Sequence, residues 1–260
     1  MNIELNRTVG QQAAAHPASK RVFEKLGIDY CCGGGTSLGE ACTQHGIEFD
    51  ELAQMLNSEE SRSVGARAAD LDFPGMSLAA LSDHIVREHH VFTRDENERI
   101  TKLLEKVCSV HGDNHPDLFE IQKIFGRMRL ELENHMLKEE RMLFPYISLM
   151  ESSIRFGQPV PPAPFGSTQN PIKVMLGEHD VAAEQLREMR RLSGDFTLPA
   201  DACTSYRTLY QAMEGLEKDL HEHIHLENNL LFPKAIEMES AEPSMVGEVR
   251  EGLCSHESTH

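Results

Sequence analysis

Apolar positions recur at helical spacing along four long stretches of the chain, with little of the strict alternation that marks strands. The first, about 77–107, sets Leu78, Leu81, Ile85, Phe92, Ile100, Leu103 and Val107 on one stripe. The second, about 116–150, carries Ile121, Phe125, Met128, Leu132 and Met142. The third, about 171–192, aligns Met175, His179, Ala182, Leu186 and Met189, and opens on a proline suited to a first helical turn. The fourth, about 200–239, carries Tyr206, Leu209, Met213, Leu216, Leu220 and Leu231. Turns at 109–115 and 193–199 join the members of each pair, and a proline-laden loop at 158–171 separates the pairs. The pattern predicts an all-α protein, an antiparallel four-helix bundle over residues 77–240.

Residues 1–57 read as a small helical unit of their own. Val22, Phe23 and Leu26 share a face, Gly27 supplies a stop, and one further amphipathic stretch runs from Leu38 to Leu56. Between them lies Asp29-Tyr30-Cys31-Cys32-Gly33-Gly34-Gly35, too glycine-rich for helix or strand and expected as an exposed, flexible turn bearing two thiols. Residues 58–76 read as a linker, and 241–260 as a polar, frayed tail.

Two segments repeat each other 88 residues apart: His135-Met-Leu-Lys-Glu139-Glu-Arg-Met-Leu143-Phe144-Pro145 and His223-Ile-His-Leu-Glu227-Asn-Asn-Leu-Leu231-Phe232-Pro233. The repeat makes the second and fourth helices equivalent, and Glu88-His89-His90-Val91 beside Glu178-His179-Asp180-Val181 extends the equivalence to the first and third. A histidine and a glutamate four residues apart share a helix face. A single such pair is commonly a surface ion pair. Here positions 128, 132, 135, 139 and 142 form one inward line, as do 216, 220, 223, 227 and 231, and buried ionisable groups are costly unless paired or bound to metal.

His179 falls on the core line of the third helix. In the first helix, spacing from Leu81, Ile85 and Phe92 favours His89, whereas the line of Val86, Ile100 and Leu104 favours His90, and periodicity leaves both open. His84 reads as a polar neighbour, and His221 and His225 point away from His223 toward solvent or a neighbour. His16, His45, His111, His115, His256 and His260 are given no role. Pro145 and Pro233 either end or kink their helices beyond the site.

Composition narrows the chemistry. A net charge of −17 repels phosphate backbones and anionic lipid, so neither nucleic acid nor membrane is an expected partner, and small neutral molecules or cations are. No apolar run is long enough to span a bilayer and the first residues lack a signal-peptide layout, so a cytoplasmic location is expected. The six cysteines show no zinc-finger spacing and are expected to be reduced thiols.

Four imidazoles and two carboxylates suit iron, manganese or zinc. If each glutamate bridges two metals, the set supplies about eight of the roughly twelve bonds of two octahedral ions. An added oxo or hydroxo bridge then leaves about one open position per metal, where a diatomic gas fits. Ferritin-like storage is disfavoured, because those bundles use Glu-x-x-His and more carboxylates. Hydrolytic zinc chemistry stays compatible with the ligand types.

These residues resemble the hemerythrin-like di-iron proteins and, more closely, the repair-of-iron-centres family of the ScdA type. Residues from Val22 to Gly34, with Asp29-Tyr30-Cys31-Cys32, are similar to that family's N-terminal domain. The segments at His84–His90, His135–Glu140, Glu178–Asp180 and His223–Pro233 are similar to its bundle motifs. The resemblance implies an oxo- or hydroxo-bridged centre of two iron ions. In it His90, His135, His179 and His223 are terminal ligands and Glu139 and Glu227 bridge, with His90 preferred to His89 by ungapped comparison. It further implies repair of iron–sulfur clusters damaged by nitrosative or oxidative stress, by donation of iron, and binding of nitric oxide or oxygen. Damaged iron–sulfur proteins would be the clients, Cys31 and Cys32 a thiol pair that passes iron or electrons, and a homodimer is admitted. Nitric oxide reduction, or gas sensing without repair, is the alternative. The first helix departs from the family at Asp95-Glu96-Asn97-Glu98, where a Leu-Pro pair is usual.

Overall fold

The computed structural model describes residues 3–63 and 72–241. The α-helices among them are α1 (Val9–Ala15), α2 (Ser19–Leu26), α3 (Leu38–His45), α4 (Phe49–Ser63), α5 (Leu78–His84), α6 (Val91–His111), α7 (Asp117–Lys138), α8 (Phe144–Arg155), α9 (Gln169–Leu192), α10 (Thr204–Leu226) and α11 (Phe232–Ala241). π-helical turns fuse three pairs into continuous rods: Ile85–His90 joins α5 to α6, Glu139–Leu143 joins α7 to α8, and Glu227–Leu231 joins α10 to α11. With α9 these rods are the four predicted helices. The all-α bundle is as expected.

Two apolar layers fill the bundle. One, including Ile100, Leu104, Phe125, Met128, Leu186, Met213 and Leu220, lies toward the turns at 112–116 and 193–203. The other, including Leu81, Ile85, Leu143, Ile147, Met175, Leu231 and Phe232, fills the opposite end. Along every rod, histidines or glutamates stand between the two. At that second end the duplicated architecture caps itself. Glu151 accepts from the backbone N–H groups of Leu78 and Ala79 (2.7 and 2.9 Å) at the start of the first rod. Glu239, 88 residues later, accepts from the Thr168 N–H at 3.0 Å at the start of α9. Each carboxylate satisfies orphan donors at a helix N-terminus.

The π turns correct two core assignments. Each inserts one extra residue, so the inward line resumes one position later than in an unbroken α-helix. Past Glu139 the buried residue is therefore Leu143, and Met142, placed on the core line above, is 51% exposed. In the first rod the line runs Leu81, Ile85, His90, Thr93, Asn97, Ile100, and Phe92 lies at the surface. Nor do the prolines end their helices. Pro145 and Pro233 sit at the start of α8 and α11, which run on for another turn or more, because a missing N–H costs little where the hydrogen-bond register is already shifting.

The small N-terminal unit packs α1–α4 around Val9, Phe23, Leu38, Leu52 and Leu56. The stretch predicted as one helix from Leu38 is two, because Gly46 adopts φ +65° as the left-handed cap of α3. α4 continues to Ser63, past the expected boundary at 57, and Phe73–Gly75 forms a 3₁₀ turn. Residues 64–71 of the expected linker and 242–260 of the expected tail lie outside the described residues.

The thiol-bearing turn is seated on the bundle rather than exposed. Cys31 is buried and Cys32 half-buried. The Tyr30 carbonyl accepts from Asn229 Nδ2 at 3.1 Å, and the Cys31 carbonyl from Asn228 and Asn229 at 3.4 and 3.3 Å. Gly10 and Gly34 make room for this contact: a Cβ on either would stand 2.2 or 2.4 Å from the Asn229 amide oxygen. His225, expected away from the site, does face a neighbour, packing edge-on against the Tyr30 ring at 5.5 Å. Lys20 reaches Glu222 at 2.6 Å.

Candidate metal centre

The π turns place the site. Glu139 and Glu227 each open one and His90 closes one, so three of the four rods change register within the polar layer. His135 and His223 stand one turn before the glutamates, and His179 comes from the regular helix α9. His90, His135, His179, His223, Glu139 and Glu227 are all buried, and the two glutamates completely so.

These six side chains form two sets that share both carboxylates. In the first, His90 Nε2 lies 3.2 Å from His223 Nε2 and 3.5 Å from Glu139 Oε2, while Glu227 Oε1 lies 3.0 Å from His223 Nε2. In the second, His135 Nε2 lies 3.0 Å from His179 Nε2 and 3.3 Å from Glu139 Oε1, while Glu227 Oε2 lies 3.1 Å from His179 Nε2. Each glutamate thus gives one oxygen to each set. Two donors at right angles around an ion with bonds of about 2.1 Å stand roughly 3.0 Å apart, close to these separations.

Hydrogen bonding alone does not satisfy the group. Glu139 Oε1 and Oε2, Glu227 Oε2 and His223 Nδ1 are buried without a hydrogen-bond partner. Buried carboxylate oxygens without hydrogen bonds are costly, and a cation between them removes the cost. Burial pushes the His135 imidazole down, yet Glu139, Glu178 and Glu227 outweigh it and lift it to about 10. Burial drives Glu139 and Glu227 up, and the surrounding imidazoles nonetheless hold both below the usual carboxylate range. The pocket is built to balance two negative charges with cations. The residues fit a pair of metal ions.

A second tier orients the imidazoles, and most of it escaped sequence reasoning. His90 Nδ1 meets Glu140 Oε1 at 2.7 Å, which Arg94 also holds at 2.7 Å. His135 Nδ1 meets Glu178 Oε2 at 2.8 Å, with Lys138 on the other oxygen. His179 Nδ1 meets Asn228 Oδ1 at 2.8 Å. Glu140 and Asn228 follow the two shared glutamates directly and are 88 residues apart, so the repeat carried the signal that could have found them. Such partners fix tautomer and ring direction in metal-ligating histidines.

His223 breaks the symmetry. Its partner by analogy with Glu178 would sit at position 89, which is a histidine. His89 stacks on His223 (5.6 Å, 15° between planes) and turns its own Nδ1 to Asp219 at 2.9 Å. The structure therefore puts His90 in the cluster and His89 behind it. The motif alignment of His89 with His179 is one residue off, because the first rod contains a π turn and α9 does not. Thr93 and Asn97, on the face below His90, are buried with unpartnered side-chain polar atoms. Asn97 belongs to the segment where the sequence departs from the ScdA pattern, and the helix runs through it unbroken.

Cys31 and Cys32 stand apart from the six. The Cys31 thiol donates to Asp29 Oδ1 at 3.2 Å, and Cys32 beside it, followed by burial, raises its pKa well above the usual value. It is linked to the cluster through Asn228, which holds the Cys31 carbonyl with its nitrogen and His179 with its oxygen.

Residues 81–235 match the family model described as hemerythrin HHE cation binding domain, and residues 5–60 match the ScdA N-terminal domain, described as a domain of unknown function. The chain is 31% identical to a probable iron-sulfur cluster repair protein of Haemophilus influenzae, over 88% of this chain and 96% of that one. It is 31% identical to iron-sulfur cluster repair protein YtfE of Escherichia coli O81 (89% and 97% covered) and 32% identical to that of Enterobacter sp. (89% and 97%). No helix among the described residues is long and apolar enough to cross a membrane. Both domains match in order and the relatives align nearly end to end, so the chain belongs to the ScdA-type, or repair-of-iron-centres, family of hemerythrin-like proteins.

Proposed function

We propose that this chain repairs damaged iron–sulfur clusters in client proteins by donating iron from a di-iron centre held by His90, His135, His179, His223, Glu139 and Glu227. The observation that carries the reading is the sharing of both buried carboxylates between two histidine pairs. Two iron ions there supply redox chemistry and open positions for nitric oxide or oxygen, and are the cargo of repair. Glu140, Glu178 and Asn228 orient three of the imidazoles, while His223 lacks such an acceptor. The apolar layers on either side limit water, and the Cys31-Cys32 turn, tied to His179 through Asn228, is the route toward a client.

The test is iron per chain in protein purified without added metal, followed by transfer to a cluster protein damaged with nitric oxide. About two irons per chain, released faster to a chelator after reduction and restoring client activity, is expected. Stoichiometric zinc, or less than about one iron per chain, overturns the di-iron centre. Repeated turnover to nitrous oxide without restoration of the client would favour nitric oxide reduction over repair.

A further inference from the structure

At the far end of the bundle, about 30 Å along the first rod from His90 at 1.5 Å per residue, a second group of donors converges. His111 ends α6, His115 lies in the turn after it, and Asp201 lies in the loop before α10. Their donor atoms all fall within 4.8 Å of one another. His115 Nε2 is 2.9 and 3.1 Å from the two Asp201 oxygens, and His111 Nδ1 is 3.8 Å from Asp201 Oδ2. The Tyr206 ring packs against both imidazoles, at 5.2 and 5.8 Å, and sets their planes.

An exposed aspartate needs only one partner, so a plain ion pair with His115 explains little of this. His111 is buried, its Nε2 has no hydrogen-bond partner, and its Nδ1 faces the carboxylate from beyond hydrogen-bond range. Donors of a tetrahedral ion with bonds of about 2.0–2.1 Å stand roughly 3.3 Å apart, between the two separations seen to Asp201.

We propose that His111, His115 and Asp201 form a second metal site for zinc or a similar divalent ion, distinct from the buried pair of sites. Two nitrogens and an oxygen suit such an ion and leave one tetrahedral position to solvent. Its ligands come from both turns at this end, so the ion staples the first helix pair to the second.

Cobalt(II) tests this in the full chain carrying its iron. Cobalt should bind at about one per chain without displacing iron. The double variant His115→Ala with Asp201→Asn should lose the cobalt while keeping iron content and helical circular dichroism. Cobalt that replaces iron one for one, or cobalt retained by the double variant, overturns the proposal.

Discussion

At the scale of single residues, the site works through what stands behind each imidazole. Glu178→Gln keeps the shape but weakens the acceptor on His135, so iron affinity measured by chelator competition is expected to fall about 10–100-fold, while His89→Ala, behind the unsupported His223, costs less. A smaller effect of Glu178→Gln than of His89→Ala would count against the orienting role. Protonation gives a second readout. In apoprotein prepared by chelation, His135 titrates near 10 instead of its usual 6.5. A group whose pKa is raised by folding contributes stability that is complete below the unfolded value and disappears as pH rises through the folded one. Apoprotein in urea should therefore lose stability between about pH 6.5 and 10, and iron-loaded protein, whose His135 is held unprotonated by the ion, should not show that loss. Equal slopes for the two forms would contradict the assignment.

At the scale of elements, the π turns are what let apolar helices carry an ionisable layer. One extra residue rotates the following segment so that Leu143 and Ile147 return to the core after Glu139. Deleting Arg141 would restore a regular helix and turn either Glu139 or that apolar pair outward. The expected cost is at least about 3 kcal/mol, from two buried side chains at roughly 1.5–3 kcal/mol each, with loss of bound iron; an iron-replete deletion variant of parental stability would show the turn to be dispensable. The capping carboxylates make a milder test. Glu151→Ala and Glu239→Ala should each cost about 0.5–2 kcal/mol by thermal melting and leave iron content unchanged, since both lie beyond the polar layer.

At the scale of the whole molecule, the small domain is docked so that its thiol turn and a histidine of the cluster share Asn228. Gly34→Ala would drive a Cβ to 2.4 Å from the Asn229 amide oxygen and 2.8 Å from the Tyr30 carbonyl. It is expected to undock the turn, speeding thiol labelling of Cys31 while iron content holds, and to slow iron transfer to a client; an unchanged labelling rate would separate the turn from the docking contact. The sequence by itself determined the four amphipathic helices, their duplication and five of the six cluster residues, because periodicity and an 88-residue repeat are one-dimensional signals that buried faces impose directly. It left His89 and His90 in competition and put Met142 and Phe92 inside, because a constant 100° step per residue cannot register a π turn. Only the tertiary structure decided those positions, the seating of Cys31 against Asn228, and the meeting of His111, His115 and Asp201. Each of these depends on elements distant in sequence approaching within a few ångströms, which packing fixes and local pattern does not.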